Sequence, residues 1–396
     1  MFEHIKQAAP DAILGLTEAF RADTNPEKIN LSVGVYKDAS GTTPVMRCVK
    51  QAEQSLLLKE NTKGYLGIPG APEFAMSMQT LNLGAETPAV LERRVFSAHT
   101  PGGTGALRIA ADFVAQELKA KTVWLTAPTW PNHAQVFAAA GIESKGIAWF
   151  DTDKNVFDAE KALEEISQIP EGEIIILHGC CHNPTGCDPT VEQWIKIADI
   201  LEKRNILPLI DFAYQGLGDG LEEDRRGVSI ILEHCPEAII CSSCSKNFGL
   251  YRERVGGIHV VCKDSQTAVK VGSQVKRVIR ANYSNPPAHG ELVVAEILND
   301  NELTQLWYEE LTEMRARIKN MRTLFVQTLK EMGCERDFSF IENQKGMFSF
   351  SGLQPDQVDK LRDDHGIYIV RNGRINVAGM TSDNMEKLCS AIMDVL

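Results

Sequence analysis

Ile206-Leu-Pro-Leu-Ile-Asp-Phe-Ala-Tyr-Gln-Gly216 runs from a short apolar stretch straight into a polar turn that carries an acid and a tyrosine. The same design repeats on both sides of it. Arg94–Ala98 leads into Pro101-Gly-Gly-Thr-Gly105, Thr122–Leu125 into Pro128-Thr-Trp-Pro-Asn-His133, and Ile174–Leu177 into His178-Gly-Cys-Cys-His-Asn-Pro-Thr-Gly186. Ala238–Cys241 leads into a segment that ends Ser-Lys246. Helical stretches separate these runs. One opens with a capping box, Thr190-Val-Glu-Gln193, ahead of Trp194, Ile197, Ala198 and Leu201 on one face. Alternation of this kind from about Arg94 to Val261 predicts an α/β protein with a mainly parallel sheet covered by helices on both faces. Ligands of open α/β sheets bind at the carboxyl ends of strands, so the polar motifs are expected to share one cleft.

The pattern changes after about Asn301. Apolar residues at 303, 307, 311, 314, 318, 321, 325 and 329 keep helical spacing, which predicts one helix of roughly thirty residues bridging two domains. Short strands are expected at Phe338–Ile341, Met347–Phe350, Ile367–Val370 and Arg374–Val377, with helices at Asp356–Asp364 and after Ser382. The expected division is an N-terminal arm with the first part of a small domain at 1–45, a large domain at 46–300, and the bridging helix with a smaller α+β domain at 301–396.

The 396 residues are 43% hydrophobic, enough for a large core, and the net charge of −12 argues against a nucleic-acid surface or a polybasic membrane contact. No apolar run is long enough to span a bilayer, and the acidic start Met1-Phe-Glu-His lacks the features of a secretory signal, so a soluble cytoplasmic protein is expected. Ten cysteines in so long a chain read as reduced thiols rather than a disulfide framework.

Chemistry concentrates in Cys241-Ser-Ser-Cys-Ser-Lys-Asn-Phe-Gly-Leu-Tyr-Arg-Glu-Arg254. Lys246 has the amine that could hold an aldehyde-bearing phosphate ester covalently. Ser243 and Ser245 could donate to phosphate oxygens, and Arg254 could meet the phosphate with a bidentate fork. Gly103 and Thr104 precede a helical stretch, so their backbone N–H groups would face an anion at a helix N-terminus. The glycine cluster has neither the dinucleotide-binding spacing nor a following Lys-Ser/Thr.

Taken in order, these motifs resemble the fold-type I pyridoxal-phosphate aminotransferases over nearly the whole chain, on the side of the bacterial aspartate branch of class I. The resemblance implies pyridoxal 5′-phosphate as cofactor, Lys246 as its covalent anchor and proton shuttle, and Asp211 as the carboxylate that keeps the pyridine nitrogen protonated, backed by His133. It implies that Tyr214 and Asn183 bond the phenolic oxygen and that Trp130 stacks on the ring. For a dicarboxylate substrate it implies Arg374 at the α-carboxylate, with Gly34 and Asn183 nearby, and Arg280 reaching the distal carboxylate across a dimer interface. Tyr65 would reach the partner's phosphate, with Ser284 on the same wall, giving a homodimer with shared sites. The implied reaction moves the amino group of aspartate to 2-oxoglutarate, and the alternative is an aromatic amino-acid aminotransferase.

Cys244 and Arg252 depart from the family pattern without touching the chemistry. Arg371-Asn372 replaces small residues, from which Arg371 is expected to assist dicarboxylate capture. A metal site built from Cys180, Cys181, His182 and Cys187, or from Cys241-Ser-Ser-Cys244, is the rival from another class. No metal is expected, because strand-end loops already account for both segments. A DNA-binding regulator is disfavoured by the absence of a basic helix-turn-helix pattern in residues 1–46.

Overall fold

Val95–Pro101 (β1), Thr122–Ala127 (β2), Glu143–Ala148 (β3), Ile174–His178 (β4), Leu207–Phe212 (β5), Ala238–Ser243 (β6) and Val255–Val261 (β7) form one sheet in the computed structural model. The structure describes residues 1–8 and 14–396, so positions 9–13 of the expected N-terminal arm lie outside it. The spatial order is β1-β7-β6-β5-β4-β2-β3. Strands β3, β2, β4, β5 and β6 run parallel, and β7 is antiparallel to both of its neighbours.

Each strand predicted from an apolar run continues further toward its polar motif, and all but Thr122–Ala127 run into it. The ladder holds backbone groups whatever the side chain, so Asp211 is still paired in register with His178 on one side and Cys241 on the other. Two strands lacked an apolar signature or a place in the alternation. β3, with sequence ESKGIA, is largely polar because it is an edge strand bonded only to β2. β7 is apolar, but it follows β6 without an intervening helix and turns back beside it.

Helix Gly102–Glu117 (α1) packs on this sheet. Its Leu107, Ile109, Ala110, Phe113 and Val114 join Ile174, Ile176, Leu209, Ile239 and Ile258 in one buried cluster. Each Leu-sized side chain removed from water there contributes about 1.5–3 kcal/mol. The predicted capping box is formed: Thr190 Oγ1 accepts Gln193 N–H at 3.3 Å and Gln193 Oε1 accepts Thr190 N–H at 2.7 Å, opening helix Val191–Lys203.

The chain clusters into a larger unit, Pro44–Ala316 with Gln344–Gly346, and a smaller one, Met1–Thr43, Arg317–Asn343 and Met347–Leu396. The boundary falls inside a continuous helix, Asn301–Glu331, of 31 residues. In the smaller unit Ile29–Asn30 pairs in parallel with Ile367–Tyr368, and Phe348–Phe350 (β8) pairs antiparallel with Arg374–Asn376 (β9). Phe338–Ile341 is not the expected strand. The Asp337 carboxylate accepts both the backbone N–H and the hydroxyl of Ser339, and the turn this makes leads into a short helix, Phe340–Asn343. Phe338 and Ile341 are buried all the same, which is what their apolar pattern registered. Among the described residues, no helix is long and apolar enough to cross a membrane.

Candidate active site

The carboxyl ends of β1, β2, β4, β5 and β6 lie along one edge of the sheet, and the antiparallel β7 starts from that same edge. Asp211, at the end of β5, is buried and accepts His133 Nε2 at 3.0 Å. His133 comes from the helix Asn132–Ala138 after β2, and Thr129 Oγ1 at 2.9 Å from Nδ1 holds its other side. Burial alone pushes Asp211 upward, but the His133 hydrogen bond, with the Lys246 ammonium among the nearby charges, outweighs it and holds the carboxyl below its ordinary value. The result is a carboxylate that stays ionised in a site removed from water.

Tyr214, two residues beyond β5, receives Asn183 Nδ2 on its hydroxyl at 3.4 Å. The Lys246 ammonium sits 5.0 Å from the centre of the Tyr214 ring. Trp130 is half-buried and meets the His133 ring edge-on, with centroids 5.4 Å apart.

An anion cradle is built where β1, β6 and β7 end or begin. In register, Val255 stands opposite Pro101 and Gly256 opposite Ser243, which places Arg254 beside Gly102. Gly102 has φ +74°, and a Cβ there would clash with the Arg254 guanidinium. At Gly103 a Cβ would lie 3.1 Å from Ser243 Cβ. No side chain caps the first turn of α1, so its N–H groups face the same space. Arg254 Nη1 donates to Ser245 Oγ at 3.3 Å, and Ser243 Oγ accepts Ser245 N–H at 3.2 Å. Thr104 lies in that first turn.

Tyr65 is 96% exposed, and Arg280, at the end of helix Ser265–Asn282, is exposed with its guanidinium bonded to Ser284 Oγ. In the smaller unit Arg374 is buried at the start of β9. Its Nη2 donates to Ser32 O at 2.7 Å, and its guanidinium lies 4.1 Å above the Phe348 ring. That ring also abuts Gly34, where a Cβ would come within 2.6 Å of Phe348 Cζ. Arg371 is not poised to assist: its Nε and Nη2 bond Asp359 Oδ2 at 3.2 and 3.1 Å, so the charge is matched within the smaller unit.

The family model "Aminotransferase class I and II" matches residues 26–392. The chain belongs to the class I and II aminotransferases. It is 54% identical to an aspartate aminotransferase of Salmonella typhi over 396 residues, the whole of both chains. It is 46% identical to an aromatic-amino-acid aminotransferase of Pseudomonas aeruginosa, over 100% of this chain and 98% of that one. The crystal structure of an aromatic-amino-acid aminotransferase from Burkholderia pseudomallei, covalently bound to pyridoxal phosphate, superposes with a TM-score of 0.97 at 43% identity. It covers 100% of this chain and 99% of that one.

The residues of this aminotransferase fit that cofactor. A glycine pair too crowded for side chains, an uncapped helix start, two serines and an arginine suit a phosphate dianion. An ionised, buried Asp211 suits a protonated ring nitrogen. The metal reading finds less support in the donor chemistry. Cys180, Cys181 and Asp224 do gather within 4.8 Å. However, burial pushes the Cys180 and Cys241 thiols well above their ordinary value, and both His182 ring nitrogens lie within 2.9 Å of threonine hydroxyls.

Sequence reasoning missed three side chains of this aminotransferase. Phe348 carried no signal, because one phenylalanine in a short strand reads as core. His178 falls in a strand-end motif without a role of its own, and His182 was weighed only as a ligand in the rival metal reading. They continue a string of rings behind Asp211, with His133–His178 centroids 5.3 Å apart and His178–His182 centroids 4.4 Å apart. Burial lowers His178 well below its usual range and, with His133 adding to it, brings His182 to about 3; burial also brings His259, on β7, to about 3.

These imidazoles stay neutral in the folded aminotransferase but take up protons in the unfolded chain below about pH 6.5. Stability is therefore full above that value and falls as pH drops. At pH 5 each fully buried imidazole costs about 2 kcal/mol. Urea unfolding at pH 7 and pH 5 checks this. His259→Gln should lose about 2 kcal/mol less than the wild type between the two pH values, and equal losses would show that His259 protonates within the fold.

Proposed function

We propose that the chain transfers the amino group of L-aspartate to 2-oxoglutarate, giving oxaloacetate and L-glutamate, with pyridoxal 5′-phosphate as cofactor and ping-pong kinetics. The observation that carries the reading is the buried, ionised Asp211–His133 pair in electrostatic reach of Lys246, at the strand ends that also form the anion cradle. The aspartate preference rests on the higher full-length identity to the aspartate relative than to the aromatic one.

In this reading Lys246 Nζ would anchor the cofactor and, as a free amine, would move the proton at the substrate Cα. Asp211 holds a proton on the ring nitrogen, with His133 fixing the carboxylate. Tyr214 and Asn183 donate to the phenolic oxygen, and Trp130 covers the ring face. Ser243, Ser245, Arg254 and the N–H groups of Gly103 and Thr104 hold the phosphate. When bound, the cofactor supplies an electron sink for the charge that develops at Cα. Arg374 clamps the α-carboxylate with Gly34 beside it, the Phe348 ring limiting where its guanidinium can go.

Arg280 takes the distal carboxylate and Tyr65 the phosphate of a second copy, so the working form is a homodimer. Both side chains are exposed on the single chain, as that role requires. Ten cysteines suit a reducing cytoplasm.

The near-visible spectrum of the holoenzyme tests the reading. Addition of L-aspartate is expected to shift the cofactor band, and L-phenylalanine to shift it weakly at the same concentration. Comparable responses would favour the aromatic alternative, which the structural likeness to the Burkholderia enzyme keeps in view. The absence of a cofactor band after supply of pyridoxal phosphate would overturn the reading.

A further inference from the structure

Behind the segment that carries Tyr65, a histidine and a carboxylate are sealed from solvent and take no part in the chemistry above. His99 on β1 and Glu291 on helix Ala288–Asn299 are both 0% exposed, and His99 Nδ1 lies 3.2 Å from Glu291 Oε1, within ion-pair distance but outside hydrogen-bond geometry. A carboxylate so placed is destabilising unless paired, and its retention calls for something that it holds.

Glu291 Oε2 accepts Ala71 N–H at 2.8 Å, and His99 N–H donates to Pro69 O at 2.8 Å. Gly70, at φ +87°, is pressed onto the pair: a Cβ there would lie 2.5 Å from Glu291 Oε2 and 2.8 Å from His99 Cβ. On the other side, the His99 carbonyl accepts the Tyr283 hydroxyl at 3.2 Å. Burial and then the Glu291 charge raise the pKa of that phenol. Asn285 Nδ2 donates back to Leu66 O at 3.2 Å. Tyr283 and Ser284 come just after the last turn of the helix that carries Arg280, separated from it by Ala281 and Asn282. Their N–H groups return to Ile279 O at 3.1 Å, and the Arg280 guanidinium bonds the Ser284 hydroxyl.

We infer that the Glu291–His99 pair is a positioning element for substrate selection, locking the Leu66–Ala71 loop to the Tyr283–Asn285 segment and so fixing where Arg280 stands. The inference rests on the reading that Arg280 takes the distal carboxylate. Glu291 acts by holding Ala71 N–H and packing on His99, whose backbone bonds Pro69 and Tyr283, not by touching substrate.

Steady-state kinetics of the holoenzyme with L-aspartate and with L-alanine, which has no distal carboxylate, test it in Glu291→Ala, Glu291→Gln, Arg280→Ala and the Glu291→Ala/Arg280→Ala pair. Glu291→Ala is expected to raise KM for aspartate about ten- to a hundredfold. The parameters for alanine should stay within about twofold of wild type. In the Arg280→Ala background the same change should add nothing for aspartate, because the group it positions is gone. Glu291→Gln keeps an acceptor for Ala71 N–H and is expected to recover most of the loss.

Equal effects on aspartate and alanine, or full additivity with Arg280→Ala, would overturn the inference. Selectivity lost in Arg280→Ala but kept in Glu291→Ala would remove the pair's role and leave the role of Arg280 standing. If Arg280→Ala itself does not separate the two substrates, the distal-carboxylate reading falls and the inference with it. Should Glu291→Ala not accumulate as folded protein, His99→Gln breaks the same pair and is expected to give the same KM split.

Discussion

Lys246→Ala is expected to lose turnover with aspartate and 2-oxoglutarate by at least about 10⁴-fold, because one side chain serves as both anchor and proton carrier. The variant should still take up pyridoxal phosphate. The cradle of Ser243, Ser245, Arg254 and the α1 N-terminus does not depend on the lysine. Single-turnover mixing of the loaded variant with aspartate, followed by absorption, separates binding from proton movement. Lys246→Arg should not rescue it, since a guanidinium does not give up its proton near neutrality. Substantial turnover by either variant would remove Lys246 from its assigned role.

Asp211→Asn is expected to lower kcat about 10³-fold with little change in the fold. The amide is close to isosteric and keeps a polar group facing His133, but it has no charge to hold a proton on the ring nitrogen. The wild-type carboxyl is held below its ordinary value, so it is ionised throughout the neutral range. Its titration should therefore be missing from the pH–rate profile, and raising the pH should not recover the activity of Asp211→Asn. Asp211→Glu, which restores the charge at some geometric cost, should regain part of the rate. A full-rate Asp211→Asn would mean that the buried carboxylate is structural.

The fold was legible where an apolar run buried on both faces also kept its place between helical stretches, which β7 does not. Ile174–Leu177 and Ile206–Ile210 are such runs, and β4 is buried throughout. It was not legible where another factor set the structure: edge position for the polar β3, and a local carboxylate turn for Phe338–Ile341. The motifs around Asp211, Asn183 and Lys246 could be read because the polar residues follow strand ends, and the sheet gathers strand ends on one edge. Arg371 shows the limit of that approach. Its charge pointed to a substrate, while the Asp359 that matches it lies a dozen positions away on another element. The rings of His178, His182 and Phe348 matter through contacts that no spacing announces. The same holds for Glu291, an acid in an apolar helix whose partner is on a distant strand.

The reversal of β7 has a consequence for the order in which the molecule is made. A seventh parallel strand would have needed a long crossover and would have begun at the far edge of the sheet, carrying Arg254 away from Gly102. Because the chain turns back, residues 102, 243 and 254 meet only after the strand between β1 and β6 has been inserted, closing a span of about 150 positions. The phosphate pocket is therefore complete only once β7 stands between β1 and β6. Until then a phosphate group has no complete cradle to enter, so supplementing a culture with the cofactor is expected to raise the occupancy of finished protein, and a rise in folded yield instead would count against this.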